Sequence, residues 1–514
     1  MEGFCWTKRD NVRVRFDRSP CAHLVGAAGS GMRSLADVLV QCGWRVQGSD
    51  GCSDDAALLA AAGVRWFHGH DARWISPEVD VLAYSDAVPT DNPERRRAAQ
   101  LGIPERSYFQ WLGRLSAAAD TVAVAGTHGK STTTAMTAHV LIEAGKDPAV
   151  CCGATPLGKT SGGRAGWLAS PLSGEAGQGD GRLLVVEACE YRANFLNLRP
   201  RCAAILGIEP DHFDCYPSLA ELENAFRRFA ASVPADGFLL VRRDCPSTRR
   251  ATEGFSCRTE SFGLCPDADW SACDLADRRG CFGFEIRRAG RPFCRVRLRT
   301  PGRHNVLNAL AAAALASRGG ATPEQIAAGL SGFTGLHRRL EVLGTWRGAT
   351  WVDDYAHHPT EVSAALAAVR RMFPGRRVWC VFQPHQASRT ARLLDELAAS
   401  LQNADRVLVT EIFRAREGSP RPGEVAASDL ARRASELGVH VLPGHREEEI
   451  LKALETGLAA DDVLVTLGAG RRSGAWEAER RGRTEAEEKN CCAACDFAAT
   501  DRFRGQTCVE EKSS

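Results

Sequence analysis

Short apolar runs alternate with longer amphipathic stretches along most of the chain. Runs of strand length, such as AHLVG at 22–26 and VLAYSD at 81–86, precede stretches with a helical period, such as SLADVLVQCG. The glycine-rich turn AAGSGM leads from the first strand into its helix, and a second strand, WRVQGSD, ends at Asp50. This pattern predicts β-α-β units in mostly parallel sheets whose faces are covered by helices.

The pattern restarts twice, which predicts three α/β blocks. After SAAAD at 116–120, a new strand, TVAVAG, opens a second block with LLVVEA, CAAILGIEP and the helix PGRHNVLNALAAAALA. A third block starts near Leu340, with predicted strands in ATWVDDY, RRVWCVFQ, DRVLVTEIF and DVLVTLGAG. The segment 173–181 is predicted to be an exposed loop, and the charged residues after Ala475 are predicted to form a mobile or partly helical tail.

The length and net charge of the chain exclude some classes of protein. The 514 residues suit about three domains, and the formal net charge of +2 argues against whole-chain attraction to nucleic acid or an anionic membrane. No uncharged apolar run approaches the roughly 18 residues that a spanning helix needs. The N-terminus has no apolar core long enough for a signal peptide, so we expect a cytoplasmic location.

Twenty cysteines are many for such a chain. A secreted disulfide scaffold is disfavoured because the chain is too long and has no export signal. Most cysteines, such as Cys21, Cys189, Cys202 and Cys380, stand singly in apolar stretches and are interpreted as small buried hydrophobes. The tail contains one C-x-x-C, Cys492–Cys495, which is weak evidence for zinc because no clear second pair accompanies it.

The stretch VAVAGTHGKSTTTA at 122–135 ends like a phosphate-binding loop but lacks the outer glycine of the pattern G-x-x-x-x-G-K-[ST]. Val124 stands at that place, and the glycine present is Gly126. A tight turn before a helix still offers backbone N–H groups to a phosphate, Lys130 can reach the outer phosphates, and a hydroxyl at Ser131 or Thr132 can bind Mg²⁺. The loop is therefore predicted to bind phosphate; the alternative is a plain glycine turn that starts a helix.

Two later strand ends supply candidate metal ligands. They are Glu187 and Glu190 in VVEACEYRANF, and Glu209, Asp211, His212 and Asp214 in GIEPDHFDCY. Ligands gather at the carboxyl ends of parallel strands, and Mg²⁺ prefers hard oxygen ligands. Each segment is therefore a candidate for contact with a metal, although its polar residues could instead cap a loop.

The first and third blocks contain further site-like motifs. GAAGSGM departs from the dinucleotide pattern G-x-G-x-x-G at Ala28, but Asp50 follows Gly26 at about the spacing of a ribose-binding acid. The loop fits a diphosphate or nucleotide site, or alternatively a close helix–strand turn. In DDYAHHPTE and FQPHQASRT, His385 and Arg389 could hold a small carboxylate, or the segments could be solvated loops with surface ion pairs.

Taken together, these motifs resemble the Mur ligase family. GTHGKST is similar to that family's GTHGKT[ST]T loop, which also lacks the outer glycine, and further similar segments follow in family order from about Ala22 to Gly470. These segments are GAAGSGM with GSD, EACEYRANF, IEPDHFDCY, PGRHNVLNALAAAALA, GLHRRLE, DDYAHHPTE, FQPHQASRT and LGAG. The chain is most similar to the members that join L-alanine to UDP-N-acetylmuramate, the first amino-acid bond of the peptidoglycan stem.

The resemblance implies an α/β fold of three domains followed by a tail. Residues 1–118 would form an N-terminal Rossmann-like UDP-sugar-binding domain, 119–338 a central P-loop ATP-binding domain, and 339–475 a C-terminal Rossmann-like domain that binds the amino acid. Residues 476–514 would be the charged, cysteine-containing tail. The implied cofactors are ATP and Mg²⁺, the implied substrates are UDP-N-acetylmuramate and L-alanine, and the expected state is a monomer or homodimer.

The resemblance also implies a role for each matched residue. The implied ATP-binding residues are Gly126, Thr127, His128, Gly129, Lys130, Ser131, Thr132, Asn305, Asn308, Arg339 and Asp354. The implied UDP-sugar-binding residues are Gly26, Gly29, Gly31, Ser49 and Asp50, and the implied amino-acid-binding residues are Tyr355, His357, His385 and Arg389. The implied catalytic residues are Lys130, Glu187, His212 and His357, and the implied metal ligands are Ser131, Glu187 and His212.

Several residues depart from the family pattern. Ser131 keeps the hydroxyl of the usual threonine, whereas Ala28 and Ser30 alter the first glycine loop. The other departures are Gly207 in place of an expected asparagine, Gln386 in place of a common arginine, and Arg471 in place of the usual acid after LGAG. The change at position 386 removes a positive charge near the expected alanine carboxylate, so selectivity for alanine does not follow from the resemblance alone.

Three alternatives stay open at this stage. One is a recycling ligase of the same family, which attaches a preformed tripeptide to the same sugar nucleotide. Another is a nicotinamide-dependent oxidoreductase built on the first domain, which would leave the GKS loop and the third domain unexplained. The last is a non-catalytic relative, which the presence of Lys130, Glu187, His212, Asp354 and His357 disfavours.

Overall fold

The computed structural model describes residues 18–52, 56–169, 182–415 and 417–470. The predicted loop at 173–181, Arg471, the Cys492–Cys495 pair and the charged tail lie outside these ranges. The described residues form three β-sheets with helices between their strands, as the repeated α/β pattern predicts.

The first sheet is parallel throughout, in the order β3-β2-β1-β4-β5. Its strands are β1 (Cys21–Val25), β2 (Arg45–Asp50), β3 (Val64–His68), β4 (Val81–Tyr84) and β5 (Glu105–Ser107). Its helices are α1 (Ser30–Gln41), α2 (Ala56–Ala61), α3 (Pro93–Gln100) and α4 (Tyr108–Ala117). The strand order reverses at β1, and in such sheets the crevice for ligands opens at this point.

The second sheet has ten strands, in the order β15-β14-β13-β12-β11-β10-β6-β9-β7-β8. The strands are β6 (Asp120–Ala125), β7 (Ala149–Cys151), β8 (Gly163–Arg164), β9 (Leu183–Glu187), β10 (Cys202–Ile205), β11 (Phe238–Arg242), β12 (Arg258–Gly263), β13 (Trp270–Arg278), β14 (Cys281–Arg288) and β15 (Arg291–Arg297). The helices are α5 (Lys130–Glu143), α6 (Leu219–Ala230), α7 (Pro246–Thr252), α8 (His304–Arg318) and α9 (Pro323–Gly332). The strands β6, β9, β10, β11 and β12 run parallel, whereas β13–β15 form an antiparallel meander at one edge.

The third sheet has the order β16-β17-β20-β18-β19, and β16 is its antiparallel edge strand. Its strands are β16 (Glu341–Trp346), β17 (Ala349–Asp354), β18 (Val378–Phe382), β19 (Arg406–Val409) and β20 (Val463–Leu467). Its helices are α10 (Pro359–Met372), α11 (Ala387–Arg392), α12 (Leu394–Ser400), α13 (Ala427–Glu436) and α14 (Glu447–Gly457). The strand predicted in DRVLVTEIF ends earlier than expected, at Val409.

The junctions between the three domains differ in character. A continuous cluster of buried apolar side chains joins the first and second sheets, and it includes Trp111 of α4 together with Phe195 and Phe226. The second and third domains also meet through polar side chains, such as Arg389 with Asp211 at 2.6 Å. The cavity described below lies at this second junction.

The cysteines follow the expectation from the sequence only in part. All cysteines within the described ranges are free thiols; Cys21 and Cys380 are buried, whereas Cys189 and Cys202 are half-buried. Within the same ranges, no helix combines the length and apolar character needed to span a bilayer. The cytoplasmic location stays a prediction.

Candidate functional site

The loop between β6 and α5 has the shape that its glycines allow. Gly126 and Gly129 have φ angles of +139° and +79°, and α5 begins directly after Gly129, at Lys130. A Cβ at position 129 would overlap with Asn308 Oδ1, so glycine lets α8 approach the loop closely. The first N–H groups of a helix have no partner within the helix, and this loop presents those of α5 without a glycine at position 124.

Lys130 lies folded back over its own loop. Its Nζ donates to the carbonyl oxygens of Gly126 at 2.6 Å and Thr127 at 3.2 Å, and it lies 2.9 Å from Glu190 Oε1. Burial lowers the pKa of Lys130, but the negative charge of Glu190 outweighs it, and the net pKa is raised. The lysine is therefore a fixed cation at the centre of the site.

The predicted metal ligands fall into two neighbouring groups. Ser131 Oγ donates to Glu187 Oε1 at 3.0 Å, and the other carboxylate oxygen of Glu187 accepts the Gly153 N–H at 2.8 Å. His212 contacts Glu190 instead, with its Nε2 3.2 Å from Glu190 Oε1. The structure therefore brings Ser131 and Glu187 together and places His212 beside Lys130, through Glu190.

This donor set fits a divalent cation. The Ser131 hydroxyl and the Glu187 carboxylate are hard oxygen ligands at the mouth of a phosphate loop, as Mg²⁺ requires. The His212 Nδ1 atom is buried and has no hydrogen-bond partner among the described residues, so it can serve an additional group.

A cavity opens beside the loop, at the junction of the second and third domains. Eight of the residues predicted to bind the nucleotide line it, namely His128, Gly129, Ser131, Thr132, Asn305, Asn308, Arg339 and Asp354. Asn308 connects the loop to the cavity wall, because its Oδ1 accepts from Thr133 at 3.3 Å and its Nδ2 donates to Asn305 Oδ1 at 2.9 Å. Side chains of two domains thus line one cavity beside the loop.

The third-domain wall of this cavity carries two carboxylates, Asp354 and Glu361, and the guanidinium of Arg339. Asp354 accepts the N–H groups of Ala356 at 2.7 Å and Leu340 at 2.8 Å. Burial raises the pKa of Asp354 to about 6, although the charge of Arg339 works against this change. The Arg339 guanidinium lies 5.1 Å from the centre of the Tyr355 ring.

His128 links the loop to both of the domains that form the cavity. Its Nδ1 lies 3.1 Å from Glu361 Oε1, and its Nε2 lies 3.4 Å from Glu209 Oε2. Thr360 Oγ1 donates to the same Glu209 oxygen at 2.5 Å. Burial lowers the pKa of His128, but its hydrogen bonds with the two carboxylates and their charges outweigh it and raise the pKa to about 9.

The residues predicted to hold the amino acid lie together. The rings of Tyr355, His357 and His385 are in successive contact, with centroid distances of 5.4 and 5.2 Å. Arg389 is 2% exposed and donates through Nε and Nη2 to Asp211 Oδ1, at 2.8 and 2.6 Å, so its charge is already balanced.

Gln386 lies beside this group in an uncommon backbone conformation. It is 3% exposed and has a φ angle of +66°, and its N–H donates to the Phe413 carbonyl at 2.9 Å. Gln386 is buried and uncharged, and Arg389 is already paired with Asp211. Neither residue therefore offers an unpaired positive charge to the carboxylate that is expected to bind here.

The residues predicted to bind the UDP-sugar lie at the end of β1 and the start of α1. Gly26 has a φ angle of +80°, and a Cβ at Gly31 would lie 2.9 Å from a ring carbon of Tyr108. Asp50 accepts the Ala28 N–H at 3.0 Å, so the acid orients the altered loop. Ser49 is fully buried and donates to Glu94 at 2.6 Å.

Some cavity residues escape prediction from the sequence. Thr360 and Glu361 belong to the DDYAHHPTE motif, yet only the structure shows that they line this cavity. Arg242, Phe262 and His304 also line the cavity. Arg242 and Phe262 lie in β11 and β12, and the sequence signal for them would have been the polar or aromatic residue at the end of each apolar run.

Family models match nearly all of the described chain. The first, described as Mur ligase family, catalytic domain, matches residues 22–120. The second, Mur ligase middle domain, matches residues 124–316, and the third, Mur ligase, glutamate ligase domain, matches residues 338–470.

Relatives and solved structures are similar over comparable lengths. The UDP-N-acetylmuramate–L-alanine ligase of Clostridium novyi is 36% identical over 456 residues, 88% of this chain and 96% of that protein. The enzyme of the same name from Salinibacter ruber is 38% identical over 453 residues, 87% of this chain and 92% of that protein. The crystal structure of UDP-N-acetylmuramate–alanine ligase from Thermotoga maritima matches with a TM-score of 0.73 and 25% identity, covering 91% of this chain and 99% of that one. A murein peptide ligase from Psychrobacter arcticus shares the fold, with a TM-score of 0.67 and 24% identity over 94% of this chain and all of that one.

Proposed function

Because the chain belongs to the Mur ligase family and is a ligase of peptidoglycan precursor synthesis, we propose that it joins L-alanine to the lactyl carboxylate of UDP-N-acetylmuramate while cleaving ATP to ADP and phosphate. The observation that carries this proposal is the cavity in which the phosphate loop faces Arg339 and Asp354 of the third domain. A nucleotide bound there would have its phosphates at the start of α5 and its sugar near Asp354. The residue roles below belong to the same proposal.

The first step is transfer of the terminal phosphoryl group to the sugar-linked carboxylate. This forms an acyl phosphate and ADP, and the enzyme's task is to position the groups and stabilise negative charge. Gly126, Gly129 and Thr132 would hold the phosphates at the start of α5, with Lys130 stabilising charge on the transferred group. Glu190, 1% exposed, keeps Lys130 charged and aimed at the loop.

Ser131, Glu187 and His212 would hold Mg²⁺. When bound, this ion would neutralise phosphate charge during transfer. Even without considering the ion, the Gly153 N–H and the Ser131 hydroxyl fix both carboxylate oxygens of Glu187, so the orientation of the ligand is set by the fold.

The second step is attack of the alanine amine on the acyl phosphate, which gives a tetrahedral intermediate and then releases phosphate. His357 would accept a proton from the amine. Its Nδ1 lies 3.0 Å from the Tyr355 carbonyl, which only accepts hydrogen bonds, so Nδ1 carries the hydrogen and Nε2 is free to accept. Burial lowers the pKa of His357 to about 4 and keeps the imidazole neutral at pH 7.

The direct test is ADP release by the purified chain with UDP-N-acetylmuramate and one amine at a time. We expect turnover with L-alanine to exceed turnover with glycine, L-serine or the preformed tripeptide. Preference for the tripeptide would favour the recycling ligase, and NAD binding without amine-dependent ADP release would favour the oxidoreductase.

The role of Lys130 is tested by Lys130→Ala. We expect a loss of at least about 100-fold in ligation rate, because the variant removes a preorganised charge from the phosphoryl-transfer site. Lys452→Ala, on the exposed face of α14, is the matched control and should keep full activity. Near-normal turnover by a folded Lys130→Ala protein would refute the phosphate role.

A further inference from the structure

Three adjacent strand ends form a row along one wall of the nucleotide cavity. Leu206 follows β10, Arg242 is the last residue of β11, and Phe262 lies in β12, in register with Arg242. All three residues line the cavity. The row therefore presents an apolar residue, a guanidinium and an aromatic ring side by side, beyond the residues that face the phosphates.

The Arg242 guanidinium is held from one side only. Its Nε donates to Asp244 Oδ1 at 2.6 Å, and its Nη2 donates to Asp244 Oδ2 at 3.3 Å. Within the described part of the chain, no hydrogen bond is found for Nη1. A planar guanidinium fixed by a bidentate carboxylate keeps its remaining N–H groups in a defined direction.

Gly207 lies beside the Nη1 end of Arg242. A Cβ built on Gly207 would lie 3.7 Å from Arg242 Nη1 and 3.8 Å from its Cδ, which is ordinary van der Waals contact, so the arginine borders this glycine. Gly207 also accepts the Thr127 N–H at 2.9 Å, so this space adjoins the phosphate loop. Arg242 thus supplies polar groups where Gly207 offers none.

We propose that Arg242 recognises the base of the nucleotide: a purine lies against Leu206 and Phe262, and Arg242 Nη1 donates to one of its ring-nitrogen acceptors. The inference rests on the proposed ATP-dependent function and adds a residue to its nucleotide site. A contact between Arg242 and a phosphate is less consistent with this row of residues, because Lys130 and the start of α5 would already face the phosphates. Flat aromatic surfaces stack on guanidinium planes, which suits a base.

The test is equilibrium binding of ATP and of inorganic tripolyphosphate to the full chain, by calorimetry. Arg242→Ala should raise the Kd for ATP about tenfold, the usual effect of losing one charge-assisted hydrogen bond at a partly exposed site. The Kd for tripolyphosphate should stay within twofold of the wild type. Arg242→Lys, which keeps the charge but loses the fork, should lie between the two for ATP.

Arg243→Ala is the matched control. Arg243 is the next residue, 45% exposed, and pairs with Asp267 at 2.7 Å, so its loss should leave both affinities unchanged. Equal ATP affinity in Arg242→Ala and the wild type would overturn the inference. A parallel loss of tripolyphosphate affinity would also overturn it, because the contact would then be with phosphate. Absence of alanine-dependent turnover in the wild type would refute the proposed function instead, since the ratio of the two affinities does not depend on that reaction.

Discussion

His128 is a titratable group whose charge ties the phosphate loop to the third domain. Its ring lies between two carboxylates, Glu209 of the second domain at 3.4 Å and Glu361 of the third at 3.1 Å. Against the effect of burial, these carboxylates raise its pKa from 6.5 to about 9. The variant His128→Asn removes the titrating charge and keeps a polar side chain.

The magnitude follows from the shift in pKa. At about 1.4 kcal/mol per pKa unit, the rise corresponds to about 3 kcal/mol of stabilisation by the protonated form. Because the folded pKa lies above the unfolded value, this stabilisation is complete below pH 6.5 and is lost as the pH rises through about 9. About 2 to 3 kcal/mol therefore remains at pH 7, and almost none remains at pH 10.

The assay is urea denaturation of the wild type and His128→Asn at pH 7 and pH 10. We expect the difference between their free energies of unfolding to shrink by about 2 to 3 kcal/mol from the lower to the higher pH. His139→Asn is the control: burial lowers the pKa of His139, so this residue is neutral at both pH values, and its variant should follow the wild type. The same difference between wild type and His128→Asn at both pH values would refute the assignment of a charged His128.

Two further predictions concern the third domain. Burial raises the pKa of Asp354 to about 6, so protonation should remove an acceptor for the ribose hydroxyls; the KM for ATP should rise as the pH falls from 7 to 5, and Asp354→Asn should show a high, flat KM. A flat KM in the wild type would argue against the ribose contact. Gln386→Arg should lower the KM for L-alanine, because Asp211 already balances the charge of Arg389. If that KM is unchanged, position 386 does not face the alanine carboxylate.

The strands with a glycine turn at their carboxyl end could be predicted from the sequence. In β1 and β6 an apolar run ends at Gly26 or Gly126, and a helix starts within a few residues, so period and turn chemistry agree. The sequence pattern does not predict the meander β13–β15. Charged residues interrupt its apolar pattern, as in CFGFEIRR of β14, and ion pairs such as Arg287–Glu285 are formed across its surface.

The site was predictable as a set of motifs but not as a set of contacts. The loop, the strand-end acids and the histidine motifs are contiguous in sequence, whereas Lys130 and Glu190 are 60 residues apart and pair only after β6 and β9 align. Likewise, the pairing of Arg389 with Asp211 joins two domains across 178 residues. The carboxylate that a lysine or arginine pairs with depends on how separate sheets pack together. A local sequence pattern therefore cannot predict the pair.

The two junctions between the domains differ in the free energy needed to separate them. Separating the first two domains would expose buried apolar surface around Trp111 and Phe226, at about 25 cal/mol for each Å². Separating the third domain would instead expose ionic partners such as Arg389 and Asp211 to water. The favourable hydration of the two charges then offsets most of the interaction free energy that is lost. We therefore expect movement of the third domain to require less free energy than movement of the first. Dissolved salt should ease this movement by screening the more exposed ion pairs.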